Sequence, residues 1–409
     1  MNEPIVLTPD NFRNTLKGTS RLVRMASGLA LKIRYGSLDV TFPDDRTFLI
    51  KGTEDGPRGV LKIHDWRFFR MVVQAGDVGV GEAFMAGYWS SPDVTTFLEV
   101  FCINQESMME VLQGRPFTRI LLSVRHWLNA NTKRGSRRNI SAHYDLGNAF
   151  YKEWLDPSMT YSSAIYSNET NNLEQAQAEK YSSLIRQTGI EPGHKVLEIG
   201  CGWGGFAEHV AKTVGAHVRA LTISREQFDY AKERIFKAGL SEKVDVVFQD
   251  YRDEQGIFDR IASIEMFEAV GEKYWPTYFG QLSRCLKPGG KAGLQVITIQ
   301  DRMFDDYRRG TDFIQRYIFP GGMLPPPGRL SEISKSLGLN LTEQTIFGQD
   351  YARTLQEWRQ SFHQAWPRIR PLGFDDQFKR LWEFYLHYCE AGFRSGNIDV
   401  RQMVYEKAA

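Results

Sequence analysis

Apolar positions change their period along the chain. Up to about residue 110 they come in short alternating runs. Leu29-Ala30-Leu31-Lys32-Ile33-Arg34 and Leu38-Asp39-Val40-Thr41-Phe42 read as strands with Tyr35-Gly36-Ser37 as a turn between them. Phe48-Leu49-Ile50-Lys51-Gly52 and Gly59-Val60-Leu61-Lys62-Ile63 read as two more, and helical pieces follow around Trp66 to Val73 and Thr95 to Phe101. Phe117, Ile120, Leu121, Val124 and Leu128 then recur at helical spacing, and Asn129 to Asn139 reads as a polar, basic linker. From about 145 onward strands and helices alternate. The strands are residues 195–199, 216–222, 244–248, 258–264 and 291–297, and helical stretches such as 205–214 and 225–238 separate them. The tail, 355–393, is helical and aromatic-rich. This alternation predicts an α/β fold, a Rossmann-like, doubly wound and mostly parallel sheet. A smaller N-terminal α+β domain (1–110) and a basic amphipathic connector (111–140) precede the larger domain (141–409).

Composition narrows the class. At 409 residues the chain is too long for one ordinary core, and 42% hydrophobic with 24% charged is globular. No apolar run reaches the ~18 residues that cross a bilayer, and the start MNEPIVLTPDNFR has neither the basic nor the apolar part of a signal peptide. A cytoplasmic location is expected. Cys102, Cys201, Cys285 and Cys389 lie far apart without a C-x-x-C, so no metal site or disulfide framework is expected. Net charge is +2, yet Val111 to Tyr144 holds no acid while carrying Arg115, Arg119, Arg125, Lys133, Arg134, Arg137 and Arg138. Such a segment attracts phosphates, of lipids or of nucleic acids.

The first strand of the larger domain runs into Gly200-Cys201-Gly202-Trp203-Gly204-Gly205. Glycines let the backbone turn tightly and approach a ligand where a Cβ would collide, and the next helix offers free N–H groups. The spacing alone would equally suit a dinucleotide. That ligand calls for an acid at the end of the second strand, where the chain has Leu221-Thr222-Ile223-Ser224. The acid comes instead after the third strand, in Phe248-Gln249-Asp250-Tyr251, and Leu286-Lys287-Pro288-Gly289-Gly290 turns sharply before the fifth. Together these three parts form the general pattern of methyltransferases that use S-adenosylmethionine (SAM).

From about Ser141 to Tyr405 the chain resembles the cyclopropane fatty acid synthases. The stretches that carry the likeness are HYDLGNAFYKEWLDPSMTYSSA, VLEIGCGWGGFA, LTISREQ, QDYRD, FDRIASIEMFEAVG, YIFPGGMLP and FGQDYARTL. The first 110 residues look like the small, lipid-associated N-terminal domain of many bacterial members. The resemblance implies methylene transfer from SAM across the double bond of an unsaturated phospholipid acyl chain, and a homodimer. It places Gly200, Cys201 and Gly202 at the methionine part of SAM, and Tyr144, Tyr161 and Ser162 at its carboxylate and sulfonium end. Thr222, Ile223 and Gln227 fall by the ribose and adenine; Gln249, Asp250 and Tyr251 fall by the adenine. Glu268 and Tyr351 fall on active-site positions. An alkene is a weak nucleophile and must be held in line with the methyl. The resulting carbocation suits aromatic faces, for which Tyr161, Phe267, Tyr307, Tyr317, Phe319 and Tyr351 are candidates; for any one of these rings plain core packing is the commoner role.

In many bacterial members a bicarbonate, held by a cysteine, a glutamate, a histidine, an isoleucine backbone and a tyrosine, removes the last proton. Glu268, Ile297 and Tyr351 keep that pattern, while Ser163 stands for the cysteine, Gln295 for the histidine, Ala269 for a frequent histidine and Glu265 for a frequent glycine. Ser163 and Gln295 retain hydrogen-bonding capacity for an anion. Glu265 adds a charge that repels bicarbonate unless one carboxyl is protonated, so Glu265 is expected to replace or assist it. Loss of a proton elsewhere on the chain would give a methyl-branched or methylene fatty acid, such as a furan fatty acid precursor, in place of a ring. The basic connector, with Trp127, suits transient contact with an anionic surface at the inner face of the membrane; an ordinary linker helix is the plainer alternative. A nucleic-acid methyltransferase is disfavoured because no N-P-P-Y or D-P-P-Y stretch is present. A non-catalytic lipid-binding protein is disfavoured by the intact glycine loop and Asp250.

Overall fold

The computed structural model describes residues 4–112, 146–167 and 172–408. Tyr144 and nearly all of the basic connector lie outside them. Contacts divide the chain into two compact units.

The first unit holds a five-stranded sheet among the described residues, ordered β1-β3-β2-β4-β5. Its strands are β1 (Ile5–Val6), β2 (Tyr35–Thr41), β3 (Thr47–Lys51), β4 (Glu54–Ile63) and β5 (Trp89–Ser90), with helices α1 (Arg21–Ala30), α2 (Arg67–Met85) and α3 (Val94–Ile103). Alternation in β2 and β3 buries Leu38, Val40, Phe48 and Ile50. The strand expected over 29–34 is not formed. Ser20 caps α1 by accepting a hydrogen bond from the Val23 N–H, and the helix runs through Ala30. Nor is Tyr35-Gly36-Ser37 a turn; it opens β2. Gly36 has φ 80°, and a Cβ there would stand 2.2 Å from the Pro57 carbonyl oxygen, so the close approach of β4 demands glycine. This unit also takes in residues 309–316 and 373–397, which the sequence pattern groups with the larger domain. The reason is aromatic packing: Phe384, on the helix Asp376–Arg394, meets Phe313 at 4.6 Å and Trp89 at 6.4 Å between ring centroids.

Among the described residues the second unit is built on a seven-stranded sheet, ordered β11-β12-β10-β9-β6-β7-β8. Strands β6 (Lys195–Ile199), β7 (His217–Thr222), β8 (Val244–Phe248), β9 (Phe258–Ile264) and β10 (Leu286–Ile299) are parallel. β12 (Ile398–Lys407) inserts antiparallel between β10 and β11 (Leu339–Ile346). The helices used below are α4 (Leu173–Thr188), α5 (Gly205–Thr213), α6 (Arg225–Lys237), α7 (Trp275–Cys285) and α8 (Gly348–Ile369). Two apolar cores flank the sheet. One gathers Leu197, Phe267, Trp275, Phe279, Leu294 and Tyr405; the other gathers Leu184, Val196, Phe206, Val218 and Ala231. Strand order reverses between β6 and β9, which leaves a crevice beyond their carboxyl ends where such sheets bind ligands.

Candidate active site

The glycine loop leaves β6 at that crevice. The Gly200 and Cys201 N–H groups both donate to the Leu221 carbonyl of β7, at 3.0 and 2.9 Å, which folds the loop back over the strand tips. Gly200, Gly202 and Gly204 have φ of 81°, 51° and 85°. A Cβ on Gly200 would lie 2.6 Å from the Met266 side chain, whereas one on Gly202 would meet nothing within 4 Å. The loop therefore packs against the segment after β9 on one side and is open on the other. We expect Gly200→Ala to destabilise the unit by about 1–3 kcal/mol and to weaken SAM binding, read by thermal melting and calorimetric titration. Cys201 is buried, and burial holds its thiol well above the usual range, so it serves shape and not nucleophilic chemistry.

The remaining positions expected to meet the cofactor lie at the tips of β7 and β8. The Thr222 hydroxyl donates to Gln227 Oε1 at 3.0 Å, and the Gln249 N–H donates to the Thr222 carbonyl at 3.0 Å, which ties the two tips together. Ile223 lies half-buried between Thr222 and the Ser224 cap of α6. Asp250 is buried with its carboxylate gripped by Arg252 through both Nε and Nη2, and Gln249 is engaged by Arg219 and Glu254. Tyr251 packs edge-on against Tyr278. These polar groups are fixed before any ligand arrives, which is what a preformed adenosine site requires. Tyr161 stands in a wall of rings, 5.2 Å from Trp358 and 5.4 Å from Tyr151. The Ser162 hydroxyl accepts from the buried Lys180 ammonium at 2.6 Å.

Three of the expected catalytic residues converge on the carboxylate of a fourth, Glu265. Glu265 Oε1 accepts from the Ser163 N–H and from Gln295 Nε2, both at 2.8 Å, and Glu265 Oε2 accepts from the Tyr351 hydroxyl at 2.6 Å. Glu265 also has φ 48°, a region that side chains seldom occupy. Its N–H bond to the Gln295 carbonyl, at 2.8 Å, and the three side-chain bonds hold it there. An outlier so over-determined points to function. Burial raises its pKa, against the pull of Tyr351, Gln295 and Ser163.

The second carboxyl is different. Glu268 Oε1 accepts from the Ile297 N–H at 2.5 Å, a donor freed because β9 ends before reaching it. Oε2 is buried without a partner among the described residues. Burial, reinforced by the charge of Glu265, pushes the Glu268 pKa up to about 8. Burial thus raises both neighbouring carboxyls, and the charge of Glu265 raises Glu268 further.

This geometry does not fit a bicarbonate. The Ser163 N–H, one Gln295 amide donor and the Tyr351 hydroxyl already serve Glu265, and the Ser163 hydroxyl donates to the Ala164 carbonyl at 3.0 Å. Gln295 is fully buried, with Oε1 taken by Gln402 Nε2 at 3.1 Å. Ser163 and Gln295 therefore hold Glu265 and not an added anion. Of the aromatic candidates, Phe267 is core, stacked on Trp275 at 5.7 Å. The Tyr307 hydroxyl accepts from the Leu324 N–H at 3.3 Å and its ring packs on the same core. Tyr317 and Phe319 are half-buried, and the turn ending at Met323 lies against the carboxylate loop through a 2.9 Å bond from the Met323 N–H to the Glu268 carbonyl. Tyr161, Tyr351 and Trp358 share one wall, the last two 6.1 Å apart.

Trp358, Gln402 and Lys180 are absent from the sequence expectations. Lys180 left a signal: it stands at helical spacing with Ala176, Gln177 and Leu184 on the buried face of α4.

The sequence profile of the mycolic acid cyclopropane synthetase family matches residues 131–403. The tuberculostearic acid methyltransferase UfaA1 of Mycobacterium tuberculosis is 38% identical over 343 residues, 81% of this chain and 79% of that protein. The cyclopropane-fatty-acyl-phospholipid synthase of Escherichia coli K12 is 33% identical over 380 residues, 90% of this chain and 96% of its own. Among solved structures, the mycolic acid cyclopropane synthase CmaA1 complexed with S-adenosylhomocysteine (SAH) and CTAB superposes with a TM-score of 0.63 at 28% identity. That match covers 66% of this chain and 98% of CmaA1.

Proposed function

Because this chain belongs to the mycolic acid cyclopropane synthetase family of SAM-dependent methyltransferases, we propose that it adds a one-carbon unit to the double bond of an unsaturated phospholipid acyl chain, forming a cyclopropane. The observation that carries the chemical reading is the Glu265 carboxylate, pinned by three donors beside the glycine loop.

Bound SAM supplies an electrophilic methyl. Gly202 would give it backbone clearance while Gly200 lets the loop pack on Met266, and Thr222, Gln227 and Asp250 would frame its adenosine end. The alkene π pair forms the new C–C bond as the C–S bond breaks, which leaves positive charge on the other alkene carbon. The faces of Tyr161, Tyr351 and Trp358 stabilise that charge without capturing it. Glu265 then takes a proton from the new methyl group, and the freed C–H pair closes the ring. Glu268, protonated, lowers the negative charge of the site and keeps Glu265 the single anion of the pair.

A second reading is methylation without ring closure, the other outcome open to the same carbocation. A carboxylate held by three donors accepts a proton from one direction only, so the carbon placed opposite it decides between ring and branched alkene. The name of the UfaA1 relative fits that outcome.

No helix among the described residues is long and apolar enough to cross a membrane. The basic segment 111–140 supports contact with anionic vesicles, each Lys or Arg contributing about 1 kcal/mol. Vesicles of an anionic monounsaturated phospholipid should elicit SAH release and fully saturated ones should not. Replacing Arg134, Arg137 and Arg138 with glutamine should reduce vesicle pelleting. Equal SAH release from both lipids would overturn the alkene assignment.

A further inference from the structure

Lys180 sits at the centre of α4 with no solvent-exposed surface. A buried ammonium is costly unless paired, and the surroundings show what it pairs with. Its Nζ donates to Ser162 Oγ at 2.6 Å and lies 4.4 Å from the centroid of the Tyr181 ring. Three carboxylates act on it: Glu265 most strongly, then Asp156 and Glu198, from the end of β9, the loop after residue 152 and β6. Burial pushes the Glu198 pKa up to about 8 against the pull of the Ala207 N–H, Arg234 and Lys180, and Asp156 accepts from the Ser158 N–H at 2.9 Å. Among the described residues, Lys180, the Tyr351 hydroxyl, the Gln295 amide and the Ser163 N–H favour the Glu265 carboxylate, and the Glu268 carboxyl is its neighbour.

Ser162 is the residue before Ser163, whose N–H holds Glu265. A second route closes the same loop: Gln295 holds Glu265, Gln402 Nε2 donates to Gln295 Oε1 at 3.1 Å, and the same Nε2 donates to the Lys180 carbonyl at 3.0 Å. Helix α4, strands β10 and β12 and the 161–164 segment are thereby fastened around one anion.

We propose that Lys180 is a positioning residue for the reaction, the buried counter-charge that keeps Glu265 ionised and, through Ser162, sets the strand of backbone that aims it. This rests on the reading of Glu265 as the proton acceptor. Desolvation lowers the Lys180 pKa to about 7 against the pull of the three carboxylates, so the pair loses its mutual support if either partner is neutralised.

The test is the titration of Glu265 itself, followed by carboxyl carbon-13 NMR on full-length protein with labelled glutamate and Glu265→Gln as the assignment control. In Lys180→Met the Glu265 midpoint should rise by about one pH unit or more, and the acid limb of the kcat profile should move up with it. SAM affinity should stay within about threefold. Ser162→Ala, which frees the ammonium without removing it, should give a smaller shift of the same sign and serves if Lys180→Met does not fold. An unchanged Glu265 midpoint in the folded variants would overturn the proposal, as would a loss confined to SAM affinity. A shifted midpoint with wild-type turnover in Glu265→Gln would leave the pairing intact and overturn the reading of Glu265 as the base.

Discussion

Glu265→Gln is expected to lower kcat by roughly 10²–10⁴-fold while leaving SAM affinity within about threefold. Glutamine fills the same space and still accepts from the Ser163 N–H and Gln295 Nε2, the two bonds now made at 2.8 Å to Oε1. What disappears is the basic oxygen facing Tyr351. Glu265→Gly removes the whole carboxylate and relieves the 48° φ, which glycine adopts freely. Its three donors then face a gap shaped for a small carboxylate, and added formate should restore part of the turnover. Wild-type activity in Glu265→Gln combined with lost methylation in Glu268→Gln would remove Glu265 from the mechanism.

Glu268→Gln carries the second large effect, on stability as a function of pH. The folded protein holds the Glu268 proton up to about pH 8, while the unfolded chain releases it near the ordinary glutamate value of 4.5. Between those limits the unfolded state binds fewer protons, so this residue makes the protein less stable as pH rises through the window. Below 4.5 the contribution is absent, and above 8 it is constant. Glutamine keeps an acceptor for the Ile297 N–H and never ionises. The stability of Glu268→Gln relative to the native sequence should therefore improve from pH 5 to pH 8 by roughly 2–4 kcal/mol. Paired melts at the two pH values read this difference, and a constant difference would mean that Glu268 is ionised in the folded protein.

The parallel strands were the most legible part of the sequence. β6, β8 and β9 are short β-branched-rich runs bounded by polar loops, and they fall where the pattern puts them; β6 is buried from Val196 to Ile199, while the edge strand β8 leaves Asp245 and Phe248 exposed. β12 was hidden because it carries Arg401, Gln402 and Glu406 among its apolar residues. Gln402 is polar for a reason that appears only in three dimensions, since it bonds Gln295 and the Lys180 carbonyl. The helix α1 was misread because period-two alternation from Leu29 overlaps the end of a helix that Ser20 had already capped. In the active site, residue types could be matched to positions, but bond directions could not. Ser163 and Gln295 each have donors for an added anion; only the fold shows those donors spent on Glu265. The same holds for Phe267, an aromatic ring beside a catalytic glutamate in sequence, which points away from it into the core.

The central claim is methylene addition to an acyl double bond with Glu265 taking the last proton. Its most direct measurement incubates the protein with SAM and a monounsaturated phospholipid and examines the product lipid by proton NMR. Cyclopropanation and methyl branching add the same mass, so the ring hydrogens decide. The expected spectrum gains cyclopropane resonances as vinyl resonances are lost, and Glu265→Gln gains none. Vinyl resonances that persist alongside a new methyl signal would contradict ring closure, and an unchanged lipid would contradict the account as a whole.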